Sequence, residues 1–154
     1  MTDIEKEQKY GQLVKEAASL LDGESDLIAN MANLAALIHE TMGFWWTGFY
    51  IVRKGSDNTE QLVLGPFQGP IACTRIALGR GVCGTSWQRK ETIIVPDVEK
   101  FPGHIACSSE SKSEIVIPVF KNGEVTAVLD IDDDHLSTFD NTDAAWLEWL
   151  AALV

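Results

Sequence analysis

The chain has 154 residues, 45% of them hydrophobic, which suits one domain with a sizeable buried core. Asp and Glu number 23 against 12 Lys and Arg, a formal charge of −11 that repels a phosphate backbone, and no basic stripe offsets it. Nucleic acid and anionic membrane surfaces are therefore excluded as expected partners. The segment from Met1 to Tyr10 is charged from Asp3 onward and lacks an apolar signal core, and no apolar run approaches the ~20 residues that cross a bilayer. The expectation is a soluble, cytoplasmic protein.

In chain order, Ile4, Leu13, Val14, Ala17, Leu20 and Leu21 recur at helical intervals and predict an amphipathic helix from Asp3 to about Leu21. After Asp22-Gly23, the pair Ser25-Asp26 offers an N-cap for a second helix carrying Leu27, Ile28, Met31, Leu34, Leu37, Ile38 and Met42, with Gly43 at its end. Period-2 patterning follows in Trp46 to Val52 and in Gln61 to Leu64, which read as a hairpin across the turn residues 54–58. Gly65-Pro66, Gly69-Pro70, Gly79-Arg80-Gly81 and Pro102-Gly103 mark a loop-rich middle, holding a short helix over Val82 to Lys90 and a short strand over Thr92 to Val95. Glu114 to Phe120 and Val125 to Asp132 form a second hairpin through an Asn-Gly turn, and Asp140 to Val154 closes the chain as a helix with Trp146, Leu147, Leu150 and Leu153 toward the core. Helices at both ends of an antiparallel sheet make the fold class α+β.

Three cysteines are an odd count with no C-x-x-C pair, which argues against a disulfide framework and against a structural zinc knuckle. Cys73 and Cys83 are as compatible with buried packing as with chemistry. Cys107 differs, because it sits in a long polar loop, where a thiol is exposed and a second thiol on a neighbouring loop completes a redox couple. Asp130 and Asp132 share one side of their strand, Leu129 and Ile131 the other, and Glu114 on the partner strand joins the two acids across the hairpin. The acidic run ending this strand reads either as a solvated strand terminus or weak calcium loop, or as a group that grips a cation or supplies a proton. In the latter case three converging acids raise at least one pKa, leaving a carboxylic acid able to donate at neutral pH. Trp46 shares its face with Gly48 and Tyr50, either as core or as a flat apolar wall of a cavity. The run Gly79 to Gly84 places backbone N–H groups at a helix N-terminus, suited to an anion.

The blocks Trp46-Thr47-Gly48-Phe49-Tyr50, Gly65 to Gly69, Gly79 to Gly84, Val95 to Val98, Phe101 to Cys107, Ser113 to Pro118 and Leu129 to Asp132 resemble the GAF-domain free methionine-(R)-sulfoxide reductases. The resemblance implies one GAF domain over residues 1–154, with a central antiparallel sheet of about six strands flanked by N-terminal and C-terminal helices. It implies that Cys107 attacks the sulfoxide sulfur and becomes a sulfenic acid, that Cys73 condenses with it, and that Cys83 matches a third cysteine that assists or substitutes. It further implies a thioredoxin-type reductant, no metal or organic cofactor and a homodimer. Glu114, Asp130 and Asp132 match the acidic substrate positions and Trp46 the wall that receives the S-methyl group. A pocket recognising both charged termini admits free methionine sulfoxide and excludes the peptide-bound residue. Two positions depart from the family pattern: Ser108 stands after Cys107 where Asp is common, and Asp133 stands where Ser is common. Two other readings remain open to the sequence, a non-catalytic GAF sensor of a small ligand and a zinc site built from Cys73, Cys83, Cys107 and His104.

Overall fold

The computed structural model describes residues 1–104 and 110–154. Helix α1 (Asp3–Leu21) starts on Thr2, whose hydroxyl accepts from the Glu5 N–H, and buries Tyr10, Leu13, Ala17 and Leu21 along one stripe. Helix α2 (Leu27–Met42) is capped by Asp26, whose carboxylate accepts from the Ala29 N–H, and it stops at Gly43. Strands β1 (Trp46–Lys54), β2 (Glu60–Gln68) and β3 (Arg75–Ile76) follow, then helix α3 (Gly81–Arg89), strands β4 (Ile93–Val95), β5 (Ser113–Lys121) and β6 (Glu124–Asp133), and helix α4 (Asn141–Ala151). No helix among the described residues is long and apolar enough to cross a membrane.

The strands form one six-stranded sheet in the order β3-β2-β1-β6-β5-β4, and every neighbouring pair is antiparallel. Each half of the chain contributes a hairpin, and the two hairpins join where β1 lies against β6. Both faces of the sheet are covered. Phe49, Ile51, Ile115, Ile117, Leu129 and Ile131 project into a core shared with α1, α2 and α4. The alternate positions Trp46, Tyr50, Val116 and Val128 project the other way, into a smaller cluster with Val82 and Cys83 of α3. Strands covered on both sides can be apolar at consecutive positions, and β5 accordingly is buried from Ser113 through Val119.

One buried polar knot ties the ends of the chain together on the larger core's side. The Tyr10 hydroxyl donates to Asp143 Oδ1 at 2.6 Å, the Lys6 ammonium donates to Asp143 Oδ2 at 2.7 Å, and Asp143 also closes a capping box with Asp140 at the start of α4. Asp143 has no solvent exposure, so its charge is held by partners rather than water.

The predicted elements are present, with three differences. Strand β2 runs to Gln68 rather than ending at Leu64, through Gly65-Pro66. The register between β1 and β2 shifts between Gly48 and Tyr50, and such an irregularity accommodates a residue that cannot donate to the ladder. Strand β3 is only two residues long and shows no alternation to read; it is held by pairing with Leu62 and Val63. Helix α4 ends at Ala151, and Trp146 and Leu153, expected toward the core, are only partly buried, whereas Val154 is buried.

Candidate active site

The β5–β6 hairpin turns at Asn122 and Gly123, both at positive φ as a two-residue hairpin turn requires, and this sets the register of everything above it. Glu114 pairs with Asp132, and Val116 with Asp130. On the other side of β6, Trp46 pairs with Asp132 and Gly48 with Asp130. Glu114, Asp130, Asp132 and Trp46 thus project from one end of one face, as the period-2 reading predicts for the two aspartates and Glu114. All four line a single cavity.

Gly48 makes room for its largest wall. A Cβ at that position would lie 2.4 Å from Phe67 Cβ and 2.6 Å from Trp46 Cη2, so the indole can lie over the strand only because no side chain stands there. The ring is stacked on Phe67 with 5.3 Å between centroids, and its N–H donates to the Pro70 carbonyl at 2.9 Å. Trp46 is therefore both core and cavity wall, which resolves the two sequence readings in favour of both. Tyr50 lies beside it, and its hydroxyl donates to the Cys73 carbonyl at 2.8 Å, fixing the segment that carries Cys73 against the cavity rim.

The first turn of α3 closes the cavity from above. Gly84 lets this helix approach the preceding turn: a Cβ there would meet the Ala77 carbonyl oxygen at 2.6 Å. Gly81, Val82 and Cys83 consequently face the acids, and Arg80 at the N-cap makes no side-chain cap, leaving first-turn N–H groups without a capping acceptor. An anion placed there gains from the helix dipole.

The electrostatics divide the three carboxyl groups. Burial pushes the Glu114 carboxyl well above the usual carboxylate range, and the charges of Asp130 and Asp132 add to the shift. Asp132 is likewise held well above that range by burial and by Asp130, although the Ser111 hydroxyl, donating to Asp132 Oδ1 at 2.8 Å, opposes the shift. Burial raises Asp130 too, but the polar groups of Glu114, Cys83 and Asp132 and the nearby His104 favour its anion. Asp130 is the member best supported as a carboxylate, and its neighbours as neutral acids. One of its oxygens, Oδ1, is buried without a hydrogen-bond partner among the described residues. Cys83 is fully buried, and burial followed by the Asp130 charge pushes its thiol up, so it rests protonated. His104 Nε2 lies 3.9 Å from Glu114 Oε1; burial lowers the imidazole pKa against the pull of Asp130.

Of the cysteines expected to act, Cys83 lines the cavity, Cys73 is half-buried at its rim, and Cys107 lies outside the described residues. Tyr50, Arg80, Ser111 and Trp45 line the cavity without having been assigned side-chain roles from sequence, and His104, weighed there only as a zinc ligand, lines it too. Tyr50 shares the alternation of Trp46 and was legible by that signal; Ser111 and His104 lie in loops that carry none. Asp133, the departure from the family pattern, turns away from the cavity cluster, accepting from the Thr138 hydroxyl at 2.6 Å and the Trp45 N–H at 3.3 Å. Its charge still contributes to raising Asp132.

The sequence profile of the GAF domain matches residues 26–154. The chain belongs to the GAF-domain family. Within it, the chain is 55% identical over 149 residues to GAF domain-containing protein A of Dictyostelium discoideum, covering 97% of this chain and 92% of that one. It is 43% identical to the free methionine-R-sulfoxide reductase of Saccharomyces cerevisiae, over 99% and 87% of the two chains. The free methionine-R-sulfoxide reductase of Neisseria meningitidis, solved with its substrate, superposes with a TM-score of 0.89 at 49% identity, covering 94% of this chain and 84% of that one. Helix α1 precedes the residues matched by the GAF profile, and its buried stripe of Tyr10, Leu13, Ala17 and Leu21 together with the Asp143 knot fastens it to them.

Proposed function

We propose that this GAF-family chain, residues 1–154 acting as one domain, reduces free methionine-(R)-sulfoxide to methionine. The observation that carries the reading is the gathering of buried Glu114 and Asp130 with half-buried Asp132 beside the Trp46 indole in one cavity, where burial raises all three carboxyl groups and their neighbours favour the Asp130 anion. Relatives named for this reaction at 43% to 49% identity support it.

Sulfoxide reduction needs a thiolate that attacks sulfur and an acid that protonates the departing oxygen. Cys107 is the attacking thiolate. The neutral Glu114 and Asp132 donate to the sulfoxide oxygen, and the carboxylate of Asp130 receives the α-ammonium group. Trp46 takes the S-methyl group, and the first-turn N–H groups of α3 with Arg80 hold the α-carboxylate. Methionine leaves with Cys107 as its sulfenic acid; the Cys73 thiol attacks the sulfenic sulfur, water departs and a disulfide forms. A thioredoxin-type dithiol reduces that disulfide, so sulfoxide and dithiol become methionine, water and external disulfide. Cys83, protonated and buried, supports the acids rather than attacking. Such a cycle belongs in a reducing compartment, here the cytoplasm. The exposed apolar residues Ile4 and Leu20 support pairing of two copies through α1.

The deciding experiment compares the R and S epimers of methionine sulfoxide, free and peptide-bound, with dithiothreitol or thioredoxin as reductant. Turnover of the free R epimer alone is expected, and Cys107→Ser abolishes it. Retained turnover in that variant would remove the assigned nucleophile.

A further inference from the structure

Among the described residues two clusters bring three metal-ligand side chains together. Asp133, Asp134 and His135 lie largely at the surface and satisfy one another and Thr138, with His135 Nδ1 2.9 Å from Asp134 Oδ1. Cys83, Glu114 and Asp130 are different: all three are buried, and their ligand atoms lie within 4.8 Å of one another.

We propose that Cys83, Glu114 and Asp130 form a binding site for a zinc(II)-type divalent ion, and that an ion bound there shuts the cavity to substrate. The ion is an inhibitor of the site, not a participant in the reaction. Three arguments carry this. First, the Cys83 side chain, which favours the Asp130 anion, places a sulfur donor among the acids of the cavity. A sulfur beside two carboxylates is a donor set for borderline ions such as zinc(II) or cobalt(II), whereas magnesium and calcium take oxygen ligands. Second, Asp130 lines the cavity and its Oδ1 is buried with no hydrogen-bond partner among the described residues, an acceptor left over after the contacts of its carboxyl with its neighbours. Third, three protein ligands facing a cavity leave an open fourth position for water, so the ion needs no rearrangement of the fold to complete its shell.

The protons these groups hold must leave when the ion binds, and the divalent charge compensates the buried anions that remain. Cys83 rests protonated, so its proton leaves as the ion binds; the N-terminal dipole of α3 disfavours a cation but eases formation of the thiolate that the ion then holds. Occupancy consumes Asp130 and Glu114, two of the groups assigned to the substrate. Binding of the ion is independent of the methionine-sulfoxide reading; only its inhibitory effect rests on it.

The test uses the Cys73→Ser/Cys107→Ser double variant, which keeps Cys83 as the last of the chain's three cysteines. It is titrated with cobalt(II) in buffer free of chelator and reductant. One equivalent should bind with a near-ultraviolet thiolate-to-cobalt absorption band, and zinc(II) should displace it. Adding Cys83→Ser should abolish the band, and Glu114→Gln with Cys83 retained should weaken binding at least about tenfold. A folded double variant without the band, or with affinity indifferent to both added substitutions, overturns the proposal. In the unmodified chain, zinc(II) should inhibit turnover competitively with free methionine sulfoxide, and noncompetitive inhibition would remove the claim that the ion shuts the cavity. Turnover without cobalt binding sinks the metal site alone; cobalt binding without turnover sinks the reductase reading alone.

Discussion

Replacing Glu114 by Gln separates the two consequences of burying an acid beside other acids. Because burial favours the protonated form, the folded chain keeps this proton to higher pH than the unfolded chain does. The associated stability is complete below the ordinary carboxylate range and is lost as pH rises through the raised value. Gln carries no proton to lose, so the melting temperature of ligand-free Glu114→Gln should gain on the parent as pH rises from about 5 to about 9, read by thermal unfolding. Turnover of free methionine sulfoxide should fall by about 100-fold or more, the usual scale for removing a general acid. A variant equally active and no better able to withstand alkali would contradict the assignment. Asp130 and Asp132 were legible as one pair because a strand alternates its sides, and Glu114 because hairpin register is local. The approach of Cys83 to Asp130 was not, since it depends on how α3 docks, through the close contact of Gly84 with the Ala77 carbonyl.

At the level of elements, the caps explain why the bounds of α2 could be read from residues alone, since Asp26 and Gly43 stand at its two ends, whereas the Thr2 cap of α1 was not read from sequence. Strand β3 could not be read that way, because two residues carry no period and only its pairing to β2 defines it. The polar knot at Asp143 was equally hidden, a tertiary contact between the first and last helices. Asp143→Ala should cost about 3 kcal/mol, leaving the buried Tyr10 hydroxyl without its acceptor and Lys6 with only the Asp140 carboxylate and the Thr138 carbonyl, as a shift in the denaturant midpoint would show. Its effect on the kinetics of the surviving folded protein should be small, since the knot and the cavity lie on opposite faces of the sheet. Gly48→Ala should behave in the opposite sense. Overpacking against Phe67 and the indole costs about 1–3 kcal/mol and displaces Trp46, so the KM for the free sulfoxide should rise with the loss of stability. An unaltered KM in the Gly48→Ala variant would show that the indole does not shape the substrate wall.

For the whole molecule, the two faces of the sheet carry separate tasks. The face under α1, α2 and α4 buries the larger apolar cluster and the Asp143 knot, and the face under α3 carries the acids of the cavity. The exposed positions on α1 lead to the last expectation: sedimentation at micromolar concentration should show a dimer, and Leu20→Glu should dissociate it without unfolding the chain. A monomer under those conditions would remove the homodimer.

The join of β1 to β6 has a consequence for the order in which the molecule matures. Trp46 and Asp132 are neighbours across that join although most of the polypeptide separates them. A ribosome delivering this chain from its N-terminus releases the indole before its carboxyl partner, so the cavity is incomplete until β6 has been made and paired. Loop closure of that span is slow compared with local hairpin formation. Enzymatic competence therefore arrives late and at once, when the final strand slots in between β1 and β5.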